Sequence, residues 1–241
     1  LKVMKFDDRQ FAHLYQRQQE ETGYPGRLLP FIMNQLKGCS SVIDIGAGSG
    51  FFSIPAAASG FSVTAVEPSE EMAGIMQKLY SDTGSGSLTI SLSRWEDWYG
   101  PVHDASICVH SFYPLTDKRF SVKKMLMYSE HRIIIIRNSP KMRSITGAIR
   151  AELGMSGIPD HNELLVSILN ELNIEFSITE ITEQRDTVIT SLEDEAESII
   201  VRTDFNRELK SEVIEIIRKN TAYSAGKYIF HSVFCDNAYV F

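Results

Sequence analysis

One apolar run that ends in three alternating glycines constrains this chain more than any other stretch: Val42-Ile43-Asp44-Ile45-Gly46-Ala47-Gly48-Ser49-Gly50-Phe51-Phe52. Val42, Ile43 and Ile45 suit a strand buried on both faces. Glycines at 46, 48 and 50 allow a tight turn in which backbone approaches a ligand with no Cβ between them. The pattern predicts a strand over 41–46 and a helix over 50–59, with Pro55 near its start, where a missing N–H is tolerated. A second strand over 62–67 ends on Glu67. In open parallel sheets ligands sit beyond the carboxyl ends of the strands, where strand order reverses. Asp44 can hold water or a ligand ammonium group at the floor of such a crevice. Glu67 is placed to accept hydrogen bonds from both hydroxyls of an unphosphorylated ribose.

The pattern continues along the chain. Helices are expected over 4–20 and 27–37, broken by Thr22-Gly23-Tyr24-Pro25-Gly26 and closed by Gly38. Ser69 is a good N-cap for a helix to about Tyr80, followed by a loop over 82–87. Strands are expected over 88–92, 105–109 and 132–137, with a helix near 117–129. Strands alternating with helices indicate a parallel sheet covered on both faces. Beyond it, Pro159-Asp160 opens a helix to about Leu172, and residues 174–181 and 187–190 read as strands. Two acidic helices follow over about 192–202 and 205–219. Tyr228–Phe234 and Ala238–Phe241 read as a hairpin around Cys235-Asp236-Asn237. The expected fold is one doubly wound α/β domain with a mostly parallel seven-stranded sheet and an antiparallel C-terminal edge hairpin. Residues 1–38 are expected to hold the N-terminal helices, 39–140 the ligand-binding core and 141–241 the remaining helices and C-terminal strands.

The longest aliphatic block, Ile133–Ile136, is far too short to span a bilayer, and the first residues offer no signal peptide. Cys39, Cys108 and Cys235 are an odd and scattered set, which points to a reducing cytoplasm rather than a disulfide framework. No histidine or cysteine spacing suits a metal. The net charge of −7 counts against nucleic acid as a partner. Basic residues nevertheless gather between 118 and 150: Lys118, Arg119, Lys123, Lys124, Arg132, Arg137, Lys141, Arg143 and Arg150, against Glu130 alone. That run reads as a solvated basic face offset by the acidic helices, or as a surface for an anionic substrate.

A dinucleotide fingerprint, G-x-G-x-x-G, needs a third glycine where this chain has Phe51. The pattern here instead resembles motif I of the class I S-adenosylmethionine-dependent methyltransferases, and Glu67-Pro68-Ser69-Glu70-Glu71-Met72 resembles that family's continuation after its ribose-binding acid. The resemblance covers residues 41–113 and extends through the fifth strand. It implies S-adenosylmethionine as cofactor, with Asp44, Gly46, Ala47, Gly48, Ser49, Gly50, Phe51, Glu67, Pro68, Ser69 and Met72 around it. After the third strand, Arg94 stands where the family often has an adenine-binding Asp, and Trp95 and Glu96 follow. Trp95 offers its backbone N–H, and its ring could cover the base. After the fourth strand, His110, Ser111 and Phe112 would lie beneath the methionine part. His110 and Tyr113 are the candidate catalysts; the plainer reading of His110 is that it shapes the pocket wall or contacts the cofactor backbone, and that of Tyr113 is packing. The resemblance also implies that the helices of 1–38 form a lid and that 141–241 is the divergent substrate side; Tyr15, Tyr24 and Arg27 would then approach the substrate.

The expected activity is methyl transfer to a small molecule. A scaffold that binds the cofactor without turnover and, less favoured, an NAD-linked oxidoreductase are the alternatives.

Overall fold

The computed structural model describes residues 5–83, 86–155, 160–203 and 205–241. Met4, Gly84, Ser85 and Pro159, which the sequence reading assigned to a helix, a loop and a helix start, lie outside them. Eight strands and nine α-helices run in the order α1 (Arg9–Glu21), α2 (Leu28–Gln35), β1 (Ser41–Ile45), α3 (Ser53–Ala58), β2 (Ser62–Glu67), α4 (Glu70–Thr83), β3 (Ser87–Leu92), β4 (His103–Val109), α5 (Lys118–Tyr128), β5 (Ser129–Arg137), α6 (Ile145–Glu152), α7 (His161–Glu171), β6 (Ser177–Ile189), α8 (Leu192–Arg202), α9 (Lys210–Asn220), β7 (Ala222–Ser224) and β8 (Lys227–Val240) among the described residues.

The sheet order is β3-β2-β1-β4-β5-β8-β6, with the short β7 paired to β8 off that path. β1 to β5 are mutually parallel, and β8 enters antiparallel between β5 and β6. The chain runs outward from β1 to β3, then returns to place β4 on the other side of β1. That reversal opens a crevice at the carboxyl ends of β1 and β4.

Burial explains the strands. Ile133, Ile134, Ile135 and Ile136 of β5 are all fully buried, alternating between two cores. On one face Ile133 and Ile135 pack with Leu28, Ile32 and Leu36 of the α2 region. On the other, Ile134 and Ile136 pack with Val122 and Met125 of α5 and Leu165 and Leu169 of α7. Each buried aliphatic side chain contributes roughly 1.5–3 kcal/mol, so a β5 moved one residue out of register would exchange its two faces. A third core joins α6, α8 and α9 to Ile189 and Phe230 at the far ends of β6 and β8. Asp8, Asp117, Ser144, Asp160 and Ser191 cap their helices through side-chain oxygens.

Three expectations differ from the structure. The C-terminal hairpin does not turn at Cys235-Asp236-Asn237. Those residues stay in β8 because both neighbours hold them: Arg137 and Ile136 on β5 pair with Asp236 and Asn237, and Ile181 and Thr182 on β6 pair with Asp236 and Cys235. The tight turn lies earlier, at Ala225-Gly226, both at positive φ (49° and 77°), and joins β7 to β8. The two expected strands over 174–181 and 187–190 are one 13-residue strand, β6, paired with β8 from Ser177↔Val240 to Ile189↔Tyr228. Helix α6 has a serine cap and a one-sided apolar pattern, yet it fell in a stretch read only as basic.

Candidate active site

The crevice at the strand ends is a cavity whose floor and walls come from the glycine turn, the end of β2, the turn after β3 and the turn after β4. Gly46 sits at φ 70°, and a Cβ there would run into the side chain of Ser111. Ser111 occupies that space because its Oγ donates to the Ile45 carbonyl at 2.5 Å and so ties β4 to the end of β1. Gly50, at φ 90°, lets α3 and α4 close together: a Cβ would lie 2.7 Å from Met76 Cγ. Gly50 therefore shapes the turn from behind and does not line the cavity.

Glu67 carries the strongest polar signal. Its side chain is buried at the end of β2, where Oε2 accepts the Gly48 N–H at 2.7 Å and Oε1 accepts the Ser69 N–H at 2.9 Å. A carboxylate offers about four acceptor positions, so about two remain for ligand hydroxyls. Burial raises the Glu67 pKa, against the opposing pull of the Ser69 and Gly48 amides. Asp44 is buried at the floor, accepts the Ser53 hydroxyl at 2.6 Å, and is raised from 3.8 to about 7, chiefly by burial.

The N-terminal segment lies over the opening. Phe6 and Tyr15 line the cavity, packed edge-to-face at 5.1 Å. Two side chains hold this segment to the rim: Ser49 Oγ bonds Gln16 Oε1 of α1, and Ser69 Oγ donates to the Phe6 carbonyl at 2.7 Å. Ser69 is spent on that bond and on capping α4, where it accepts the Met72 N–H at 3.2 Å; it does not line the cavity. Ala47, Phe51, Pro68 and Met72 do.

The turn after β3 contributes Arg94, Trp95 and Glu96. Trp95 does not lay its ring across the cavity as a cover. Its indole is 3% exposed, stacks on Trp98 at 5.6 Å and donates Nε1–H to the Ser121 carbonyl of α5 at 3.1 Å. What it leaves available is backbone: residues 95–97 form a 3-10 turn, and the N–H groups of Trp95 and Glu96 have no partner within it. Lys124, buried in α5, holds this turn by donating to the carbonyls of Trp95 and Glu96, each at 2.9 Å, and of Trp98. A lone lysine inside a basic run gave no sign of that role.

The turn after β4 separates the remaining candidates. His110 has φ 54°, unusual for a residue with a side chain. The turn is fixed by its N–H on the Ile135 carbonyl at 3.0 Å and points the imidazole across β5 toward β8. There Nε2 lies 2.8 Å from Asp236 Oδ1, and Nδ1 lies 3.3 Å from the hydroxyl of Tyr24. With Asp236 ionised, Nε2 carries the proton and Nδ1 is left as an acceptor. Burial, followed by the Arg137 charge, lowers the His110 pKa below its ordinary value, while Asp236 pulls the other way. Phe112 turns into the core instead, fully buried beside Trp95 and Met125. Tyr113 does not line the cavity: its hydroxyl accepts the Arg137 N–H at 2.8 Å, its ring packs on His161, and burial pushes its pKa up to about 12. Tyr24 lines the cavity, whereas Arg27 reaches the Thr182 carbonyl on β6 at 3.0 Å. Among the described residues no cluster of three or more His, Cys, Asp or Glu side chains is placed to hold a metal, and no helix is long and apolar enough to cross a membrane.

No protein-family model matches the chain, and no curated protein matches its sequence. Solved structures do match its fold. BH2331 of Bacillus halodurans C-125, whose methyltransferase assignment is provisional, is 13% identical with a TM-score of 0.61, over 89% of this chain and 98% of its own. The plantazolicin methyltransferase BpumL, solved with S-adenosylhomocysteine, is 14% identical with a TM-score of 0.54, over 97% and 89%. A precorrin 8w decarboxylase of Methanobacterium thermoautotrophicum is 12% identical with a TM-score of 0.54, over 89% of each chain. The fold is thus that of the class I S-adenosylmethionine-dependent methyltransferases. At such identities the likeness extends to architecture only, and one architecture hosts several chemistries.

Proposed function

We propose that this protein binds S-adenosylmethionine and transfers its methyl group to a small-molecule acceptor. The observation that carries the reading is Glu67: a buried carboxylate at the end of β2, clamped by two backbone amides, with acceptor capacity left over and facing the cavity of the glycine turn. Those vacant positions suit a ribose diol. The N–H groups of Trp95 and Glu96, without a partner inside the 3-10 turn, suit an acceptor nitrogen of adenine, and the Asp44 carboxyl suits an ammonium group. A dinucleotide reading is disfavoured by Phe51, which stands in the wall where a third fingerprint glycine would be.

When bound, S-adenosylmethionine supplies an electrophilic methyl on a sulfonium, so the protein has mainly to position the acceptor and exclude water. Phe6 and Tyr15 close the cavity against solvent. His110, held by Asp236 with Nδ1 as its accepting nitrogen, takes the proton of the acceptor's nucleophile. Tyr24 occupies that nitrogen in the unliganded protein at 3.3 Å, a long bond that a substrate hydroxyl or amine could replace. The cytoplasm fits the three free thiols.

Calorimetry tests the cofactor: S-adenosylhomocysteine should bind with micromolar or better affinity and NADH should not, and the reverse preference would overturn the reading. Tritiated methyl transfer into a small-molecule cell extract tests turnover. A protein that binds S-adenosylhomocysteine but labels no fraction would be a scaffold and not an enzyme.

A further inference from the structure

Beside His110, on the side away from the glycine turn, one sheet face gathers charged groups that the cofactor reading leaves unused. β8 lies between β5 and β6 in a register that sets Arg137 opposite Asp236, Glu183 opposite Phe234 and Arg185 opposite Ser232. These positions share a face. The Phe234 ring carries two guanidinium groups, that of Arg137 at 5.3 Å and that of Arg185 at 5.0 Å from its centroid.

The two arginines differ in what they have left to give. Arg185 spends one terminal nitrogen on Glu183 at 2.5 Å and the other on the Thr22 carbonyl at 3.2 Å, but its Nε–H is buried without an acceptor among the described residues. A buried donor left unpaired costs on the order of 1–3 kcal/mol and calls for a missing oxygen. Arg137 donates its backbone N–H to Tyr113, and its guanidinium rests on Phe234 with no ion pair among the described residues. Its charge is nevertheless felt by Tyr15, Tyr24 and His110, all in the cavity wall, and by Asp236.

Counting charges gives the ligand's sign and size. Arg27, Arg137 and Arg185 face Glu183 and Asp236; with His110 neutral, three positive charges meet two negative ones. Glu183 is already shared, since its Oε2 also accepts the Arg27 N–H at 3.1 Å. One positive charge is left over, which matches a monoanion and not a dianionic phosphate. A planar guanidinium on an aromatic ring is suited to a planar carboxylate.

We infer that the methyl acceptor is a carboxylate-bearing small molecule, its carboxylate bound by Arg137 and the Nε–H of Arg185 beside Phe234, with a separate hydroxyl or amine presented to His110. The inference rests on the methyltransferase reading for its nucleophile, but the anion subsite can be tested without turnover. A carboxylate that was itself the nucleophile would carry no proton at neutral pH and would leave His110 Nδ1 without a task.

The experiment uses the full chain, first titrated with S-adenosylhomocysteine, and then titrated with benzoate, benzamide and phenyl phosphate at constant ionic strength, following the His110 ring signals by NMR. Benzoate should saturate and bind at least tenfold more tightly than benzamide or phenyl phosphate. Arg137→Met should weaken benzoate at least tenfold while leaving S-adenosylhomocysteine affinity within twofold and the melting temperature near that of the parent. Arg137→Lys, which keeps the charge, should recover part of the loss. Equal binding of benzoate and benzamide, no saturation by either, a preference for phenyl phosphate, or an unaffected Arg137→Met variant would each overturn the inference. Failure of S-adenosylhomocysteine to bind while benzoate is still selected would sink the cofactor reading and leave the subsite standing.

Discussion

Asp44 is the group whose protonation the proposed ligand should change most, and replacing it by asparagine separates its cost to the fold from its use to the ligand. Its carboxyl is buried, with the Glu67 charge nearby, and its pKa rises from 3.8 to about 7 although Ser53 bonds pull it down. An unfolded chain gives up this proton near pH 4 and the folded one near pH 7. Over that window the unfolded state holds fewer protons than the folded state, so stability falls as pH rises. It is fully present below the unfolded value and lost as pH passes through the folded one. About three units at 1.36 kcal/mol each make the loss on the order of 4 kcal/mol at pH 8. Asparagine is neutral throughout, and its Oδ1 can still accept the Ser53 hydroxyl. Unliganded Asp44→Asn should match the parent near pH 4 and exceed it by up to about 4 kcal/mol at pH 8, measured by urea unfolding. The gain should be repaid in binding. A ligand ammonium beside Asp44 favours the carboxylate, so at pH 6.5 binding of S-adenosylhomocysteine should expel about half a proton or more. Calorimetry in buffers of different ionisation enthalpy counts that proton. Asp44→Asn should release none and bind at least tenfold more weakly. A variant no more stable than the parent at pH 8, or a parent that releases no proton at pH 6.5, would refute the reasoning.

Three further substitutions probe the rest of the site. Glu67→Gln keeps one carbonyl oxygen for two amide donors, Gly48 and Ser69, so one bond is lost; S-adenosylhomocysteine affinity should drop 10- to 100-fold, about 1.5–3 kcal/mol, and an unchanged calorimetric affinity would remove the ribose assignment. Lys124→Met strands the carbonyls of Trp95, Glu96 and Trp98; stability should fall by about 3 kcal/mol or more in denaturant, with adenosine binding lost in parallel, and a fully stable variant would show that the 3-10 turn holds itself. Asp236→Asn removes the group that raises the His110 pKa and fixes its tautomer; methyl transfer should drop by about 100-fold or more with S-adenosylhomocysteine affinity unchanged, and the acid limb of the rate profile, where His110 becomes protonated, should move to lower pH. A limb that stays in place would take His110 out of the proton transfer.

The glycine-turn wall of the cavity was legible because its parts are contiguous. Gly46, Gly48, Gly50 and Glu67 lie within one strand–helix–strand unit, and each residue type answers to a local demand: positive φ, close approach, a buried acceptor. The cluster around His110 has no such contiguity. His110, Arg137, Arg185 and Asp236 meet only because β8 inserts between β5 and β6, a placement that pairs Arg137 with Asp236 and Arg185 with Ser232, far apart in sequence. Local propensity even pointed the wrong way, since Asp236-Asn237 is good turn chemistry. Trp95 misled by the same route: an aromatic on a loop near a nucleoside suggests stacking, but Ser121 and Lys124 on a later helix hold its ring and turn in place.

One signal for Asp236 was present. Phe230, Ser232, Phe234, Asp236 and Ala238 alternate along β8 toward one face, and among the five only Phe234 escapes full burial. An ionised group on the inward side of a strand costs several kcal/mol unless something pairs with it. Such a residue is therefore better read as half of a hydrogen-bonded pair than as a turn. Its partner is then sought as a histidine or a cation at the carboxyl end of the adjacent strand β5 or of β4 beyond it. In this chain that rule leads to His110 and Arg137, and so to the groups proposed to meet the acceptor, from the pattern of a single strand.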